Sequence, residues 1–117
     1  MGRLTTHVLD TAHGLPAAGM AVALLRHDGT AYVRVLAATT NADGRCGAPL
    51  LEGDALVAGR YRLVFGAGDY FRRRGTPLAD PPFVDEVTID FGIADAGGHY
   101  HVPLLVSPWA YSTYRGS

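Results

Sequence analysis

Tyr61-Arg62-Leu63-Val64-Phe65, YRLVF, places Tyr61, Leu63 and Phe65 on one side of an extended chain and Arg62 and Val64 on the other. A period of two with three large apolar groups on one face specifies a strand that covers a core. Outward from it, short β-branched or aromatic runs recur at intervals of roughly ten residues, separated by turn signals. The expected strands are 5–10, 20–27, 32–39, 60–65, 86–93, 101–107 and 111–115. Fifteen glycines and seven prolines punctuate the 117 residues, and no helical pattern runs long enough to compete. The reading is an all-β sandwich.

Turn chemistry falls where such a fold needs it. His27-Asp28-Gly29 and Ala42-Asp43-Gly44 each set Asp-Gly between strand-like runs. Residues 68–74 are expected to form one short helix, ended by Gly75 and Pro77. With no internal repeat, low-complexity tract or linker, residues 1–117 read as a single domain with a sizeable core.

Composition narrows the function classes. Ten arginines and no lysine stand against eleven acidic residues, a formal charge of −1. That balance argues against nucleic acid as a partner, since phosphate binding needs a basic excess on one face. The basic run Arg72-Arg73-Arg74 reads as a solvated turn or helix end. Cys46 is the single cysteine, so the chain folds without a disulfide framework or a cysteine-based zinc cluster. The opening MGRLTTHVLD has no signal-peptide apolar run, and nothing approaches the ~20 apolar residues of a membrane span. We expect a soluble, cytoplasmic protein that meets no membrane.

GGHYHVPLLVSP, residues 97–108, holds the chemistry-bearing pair. On a strand, His99 and His101 share a face about 7 Å apart, with Tyr100 on the other. Such a pair is open to three readings: satisfied histidines, zinc ligands, or a general base working near neutral pH. His7 lies in THVLD ahead of Asp10, which can begin a turn. Arg45 follows an Asp-Gly turn and could project from a strand start or simply pair with Asp43 or Glu52. A serine triad is poorly supported, because Ser107, Ser112 and Ser117 sit in no Gly-x-Ser-x-Gly elbow. Cys46 reads as an inert small hydrophobe.

Taken together, THVLDTAHGLPAAG, the DGR that ends in Arg45, YRLVF, HYHVPLLVSP and the closing YRGS resemble the 5-hydroxyisourate hydrolases, transthyretin-like proteins of urate degradation. The likeness runs along essentially the whole chain. HYHVPLL with a terminal YRGS separates these hydrolases from the hormone-carrying transthyretins, which share the fold and lack both.

The resemblance implies a transthyretin-like sandwich of two four-stranded sheets with one short helix. It also implies dimers joined through edge strands, paired into a homotetramer around a channel. The implied reaction opens a ring C–N bond of 5-hydroxyisourate, giving 2-oxo-4-hydroxy-4-carboxy-5-ureidoimidazoline on the way to allantoin, with no cofactor and no metal. Carried over residue by residue, it assigns a catalytic set of His7, Arg45, His101 and Ser117. Substrate-binding positions correspond to His7, Arg45 and Tyr114, with His99 in support. A strict strand would set Tyr114 and Ser117 on opposite faces, so the end is expected to bend off the sheet. Trp109-Ala110 stands where an aromatic followed by glycine is commoner, so that turn is expected to differ slightly. The alternatives are a non-enzymatic carrier of transthyretin type, which would want an apolar lining, and a zinc hydrolase using His7, His99 and His101.

Overall fold

A computed structural model describes residues 1–116. Its strands are β1 (Arg3–Asp10), β2 (Leu15–Pro16), β3 (Ala21–His27), β4 (Tyr32–Thr39), β5 (Leu51–Glu52), β6 (Gly59–Gly66), β7 (Glu86–Ile93), β8 (His99–Val106) and β9 (Tyr111–Thr113). A 3-10 turn, Gly53–Ala55, precedes β6, and the helix α1 (Ala67–Arg73) follows it directly.

Two sheets result. One is the four-stranded antiparallel array β4-β3-β6-β7; the other runs β2-β1-β8-β9, with β5 also paired to β1. The second sheet therefore has five strands where four were expected, because two short strands share one edge of β1. β5 takes its start, opposite Arg3 and Leu4, and β2 its end, opposite Leu9 and Asp10. Both are two residues long, too short for any alternation to announce them.

YRLVF behaves as its pattern requires. Tyr61, Leu63 and Phe65 are buried, and Arg62 lies outward, where it pairs with Asp90 across the β6–β7 ladder at 2.6 Å. They pack in one apolar core with Leu4 and Val8 of β1, Leu24 of β3, Val87 of β7 and Leu104 of β8. Each such side chain contributes about 1.5–3 kcal/mol when fully buried.

α1 seats Tyr70 and Phe71 in this core. The Tyr70 hydroxyl donates to Asp10 Oδ2 at 2.8 Å, tying the helix to the end of β1. Asp10 also accepts from the backbone N–H groups of Ala12 and His13 through Oδ1, so it does begin the turn after β1. Burial pushes the Asp10 carboxyl up, but hydrogen bonds from Tyr70 and His13 outweigh it and hold the group below the ordinary carboxylate range. Tyr70, buried and bonded to that carboxylate, is pushed up to about 12.

The arginine run is used locally. Arg72 pairs with Asp69 at 2.7 Å, Arg73 donates to the Gly19 carbonyl, and Arg74 stacks over Tyr70 with Nε 3.8 Å from Asp10. Among the described residues no helix is long and apolar enough to cross a membrane.

Candidate active site

β1 and β8, from opposite ends of the chain, lie side by side in parallel, with Arg3 opposite His99, Thr5 opposite His101 and His7 opposite Pro103. Residues paired in register project to the same face. On β1 the alternation buries Leu4, Thr6 and Val8 and turns Arg3, Thr5 and His7 outward; on β8 Tyr100 and Val102 go inward and His99 and His101 outward. Residues 96 positions apart thus become neighbours on one polar surface.

Arg45 arrives on a loop that docks against the middle of β1, between the segments held by β5 and β2. The Val8 N–H donates to the Gly44 carbonyl at 2.8 Å. Gly44 has φ +75°, and a Cβ there would press on the Val8 carbonyl oxygen, so the Asp-Gly signal marks a real backbone requirement. Asn41 organises the loop: its side-chain oxygen accepts from the N–H groups of Asp43 and Arg45, and its backbone exchanges hydrogen bonds with Arg45 and Gly44. Sequence reasoning passed over Asn41, although an asparagine two residues ahead of Asp-Gly is a turn signal in its own right.

Among the described residues the exposed Arg45 guanidinium pairs with neither Asp43 nor Glu52. With Arg3, Thr5, His99, Tyr100 and His101 it lines an open recess of about 500 Å³. An adjoining recess is lined by His99, His101, Tyr114, Arg115 and Gly116. Arg45, His101 and Tyr114 therefore border one continuous polar surface, and His7 stands beside it. Ser117 lies outside the described residues.

The histidines are held differently. His7 Nε2 lies 2.8 Å from the Asp43 carbonyl, which can only accept, so the proton sits on Nε2, and Nδ1 has no hydrogen-bond partner among the described residues. His99 Nε2 donates in the same way to the Met1 carbonyl at 3.1 Å. His101 Nδ1 lies 2.8 Å from Thr5 Oγ1. Burial lowers the pKa of His101, and the Arg45 charge lowers it further, as would His7 when protonated, against an opposing contribution from the Thr5 backbone. The ring is therefore biased toward its neutral form. The described residues contain no group of three or more His, Cys, Asp or Glu side chains placed to hold a metal ion.

The tail closes the far side. Past β9 it keeps the register of β8 as far as Gly116, whose N–H donates to the His101 carbonyl at 2.7 Å. Up to that residue there is no departure from the sheet of the kind expected; the ladder lapses only at Tyr114 and Arg115, beside Pro103, which has no N–H to give. The register sets Tyr114 and Gly116 on the His101 side and Arg115 on the other. There the Arg115 guanidinium lies 4.1 Å over the Tyr100 ring and donates to the His99 carbonyl.

Other residues weighed from sequence fall outside this surface or do structural work. Ser107 Oγ accepts from the N–H groups of Trp109 and Ala110 in the turn before β9. Burial pushes the Cys46 thiol up, away from the reactive thiolate. Thr5 and Arg3 were missed, because nothing in their local sequence signals a partner 96 residues away; Gly116 entered only as part of the closing YRGS.

The family model described as the HIUase/Transthyretin family matches residues 4–116. The chain is 61% identical over 117 residues to a 5-hydroxyisourate hydrolase of Ralstonia nicotianae, covering all of both. Among solved structures it resembles the 5-hydroxyisourate hydrolase of Klebsiella pneumoniae, with TM-score 0.82, 38% identity and both chains fully covered. It also resembles (S)-allantoin synthase, with TM-score 0.94 and 46% identity over 99% of this chain, which spans only 44% of that longer protein. A whole-length match to the family model and a whole-length relative at this identity place the chain in the HIUase/Transthyretin family.

Proposed function

We propose that this chain is a hydrolase that opens a ring C–N bond of 5-hydroxyisourate. The observation that carries the reading is the convergence of Arg45, His7 and His101 on one polar surface, with burial and the Arg45 cation beside His101 favouring its neutral, basic form. Hydrolysis of a cyclic amide needs an activated water, a cation for the developing oxyanion, and a proton for the leaving nitrogen.

Each requirement has a group to meet it. His101 Nε2 takes a proton from water as the hydroxyl adds to the carbonyl carbon, and returns it to the ring nitrogen as the C–N bond breaks. Arg45 faces the oxygen that gains charge, through its planar fork. His7 presents Nδ1 to a substrate N–H, while Tyr114 and Ser117 orient substrate and water. His99 supports the site. The products are a carboxylate and a ureido group, and no cofactor enters the balance.

A polar surface of histidines and arginines suits this chemistry better than carriage of an apolar ligand, the transthyretin-type alternative. The zinc reading needs His7, His99 and His101 to converge, and the described residues contain no group of three or more His, Cys, Asp or Glu side chains placed to hold a metal ion. Exhaustive chelation is expected to leave turnover intact; abolished turnover would restore the zinc reading.

Assembly into edge-joined dimers, two to a tetramer, belongs to the same proposal. β7 and β9 are open sheet edges, and Phe83, Trp109 and Tyr111 are 77%, 65% and 50% exposed. Paired edges and apolar cover would remove both liabilities. A cytoplasmic setting agrees with a fold that uses no disulfide.

The deciding assay oxidises urate with urate oxidase and follows the ultraviolet absorbance of 5-hydroxyisourate with and without this protein. Decay no faster than the spontaneous reaction would overturn the assignment.

A further inference from the structure

We infer that Thr5 is a positioning residue for His101: its hydroxyl accepts the Nδ1–H and holds the ring with the Nε2 lone pair toward the recess. The inference rests on the hydrolase reading only for its consequence in turnover. Its geometry stands alone.

Thr5 and His101 occupy paired register positions on the parallel strands β1 and β8, with Oγ1 2.8 Å from Nδ1. Backbone pairing on both sides of the contact fixes the distance between the two Cα atoms. On the tail side Gly116 lies against the ring edge, where a Cβ would stand 2.7 Å from His101 Cδ2. With Nδ1 on Thr5 and Cδ2 against Gly116, the ring cannot swing, and Nε2 is the nitrogen left to face the recess.

The proton belongs on Nδ1. A hydroxyl can donate or accept; with Thr5 Oγ1 as the acceptor in the 2.8 Å contact, the proton stands on Nδ1. A proton there leaves Nε2 as the basic lone pair. When Nε2 takes a proton from water, Nδ1–H keeps the same partner, so the imidazolium forms without reorganisation.

The experiment combines nitrogen-15 imidazole spectra with steady-state kinetics on the wild type, Thr5→Val and Thr5→Ser. Valine is nearly isosteric and favours strands, so β1 is preserved. In the wild type at a pH where His101 is neutral, Nδ1 is expected to give the protonated, pyrrole-type signal and Nε2 the pyridine-type one. In Thr5→Val the two signals should move toward each other as the tautomers mix. The kcat should fall about tenfold, the scale of one lost hydrogen bond, with KM within about twofold; Thr5→Ser should restore kcat and spectrum. A wild-type ring protonated on Nε2, or a Thr5→Val variant with unchanged signals and kcat, overturns the inference. If the wild type did not act on 5-hydroxyisourate, the hydrolase reading would fall while the spectra still decided the role of Thr5.

Discussion

Gly116→Ala is the most direct probe of the tail. An alanine Cβ at this position would sit 2.7 Å from His101 Cδ2 and 3.3 Å from both Cβ and Cγ of the same residue. Carbon atoms rest at about 3.5–4.0 Å, so ring or tail must yield by roughly 1 Å. Gly116 is not among the glycines with positive φ, so the backbone itself tolerates alanine and the clash falls on His101. Moving a catalytic group by about 1 Å costs on the order of 10²-fold in rate. The tail is largely exposed and should hold little of the stability, within about 1 kcal/mol. The urate oxidase-coupled absorbance assay, run beside a thermal melt, is expected to show kcat/KM down about 100-fold with an almost unchanged melting temperature. A variant within about threefold of wild type would show that the close packing of Gly116 on His101 does no catalytic work.

The remaining expectations concern neighbouring parts. His7→Ala, His101→Ala and Arg45→Ala should each lower turnover by roughly 10²-fold or more; near-normal rates in a folded variant would remove that residue from the mechanism. Burial and the Arg45 charge hold the His101 pKa below 6.5. The acid limb of kcat/KM should therefore lie below that value and move upward in Arg45→Ala, because removing a cation makes the ring easier to protonate; a fixed limb would argue that another group titrates. Deleting residues 115–117 removes the Arg115 contacts to Tyr100 and His99, and should impair turnover more than folding. Asp10→Ala should destabilise by about 3 kcal/mol near neutrality, since it strands the buried partners of that carboxylate. The folded-state pKa of Asp10 is depressed, so its contribution is present above the unfolded value of about 3.9. It is lost as pH falls through the folded value, and melts below about pH 4 should show the gap between variant and wild type closing.

Local rules account for most of the architecture. Alternation in YRLVF and in residues 86–93 determines which side chains enter the core, since a one-residue slip would bury Arg62 and Asp90. The Asp-Gly pair at 43–44 marked a turn because Gly44 has to adopt positive φ. Helix length was legible from Gly75 and Pro77, with the observed span starting and ending one residue earlier. β2 and β5 were not legible. Two-residue strands exist only because the edge of β1 is there to receive them.

The site divides the same way. Residue types and their faces follow from the chain: His99 and His101 on one side of a strand, an arginine presented by a tight turn, a polar tail. Their meeting does not, because it depends on β1 and β8 pairing in parallel across nearly the whole length of the chain. That pairing brings Thr5 to His101, lets the Asn41 loop settle against Val8, and lays Gly116 on the ring. Periodicity is a property of neighbours in the chain and can be read from them. Register between distant strands is chosen by the burial of a common core, and only the folded molecule holds that information.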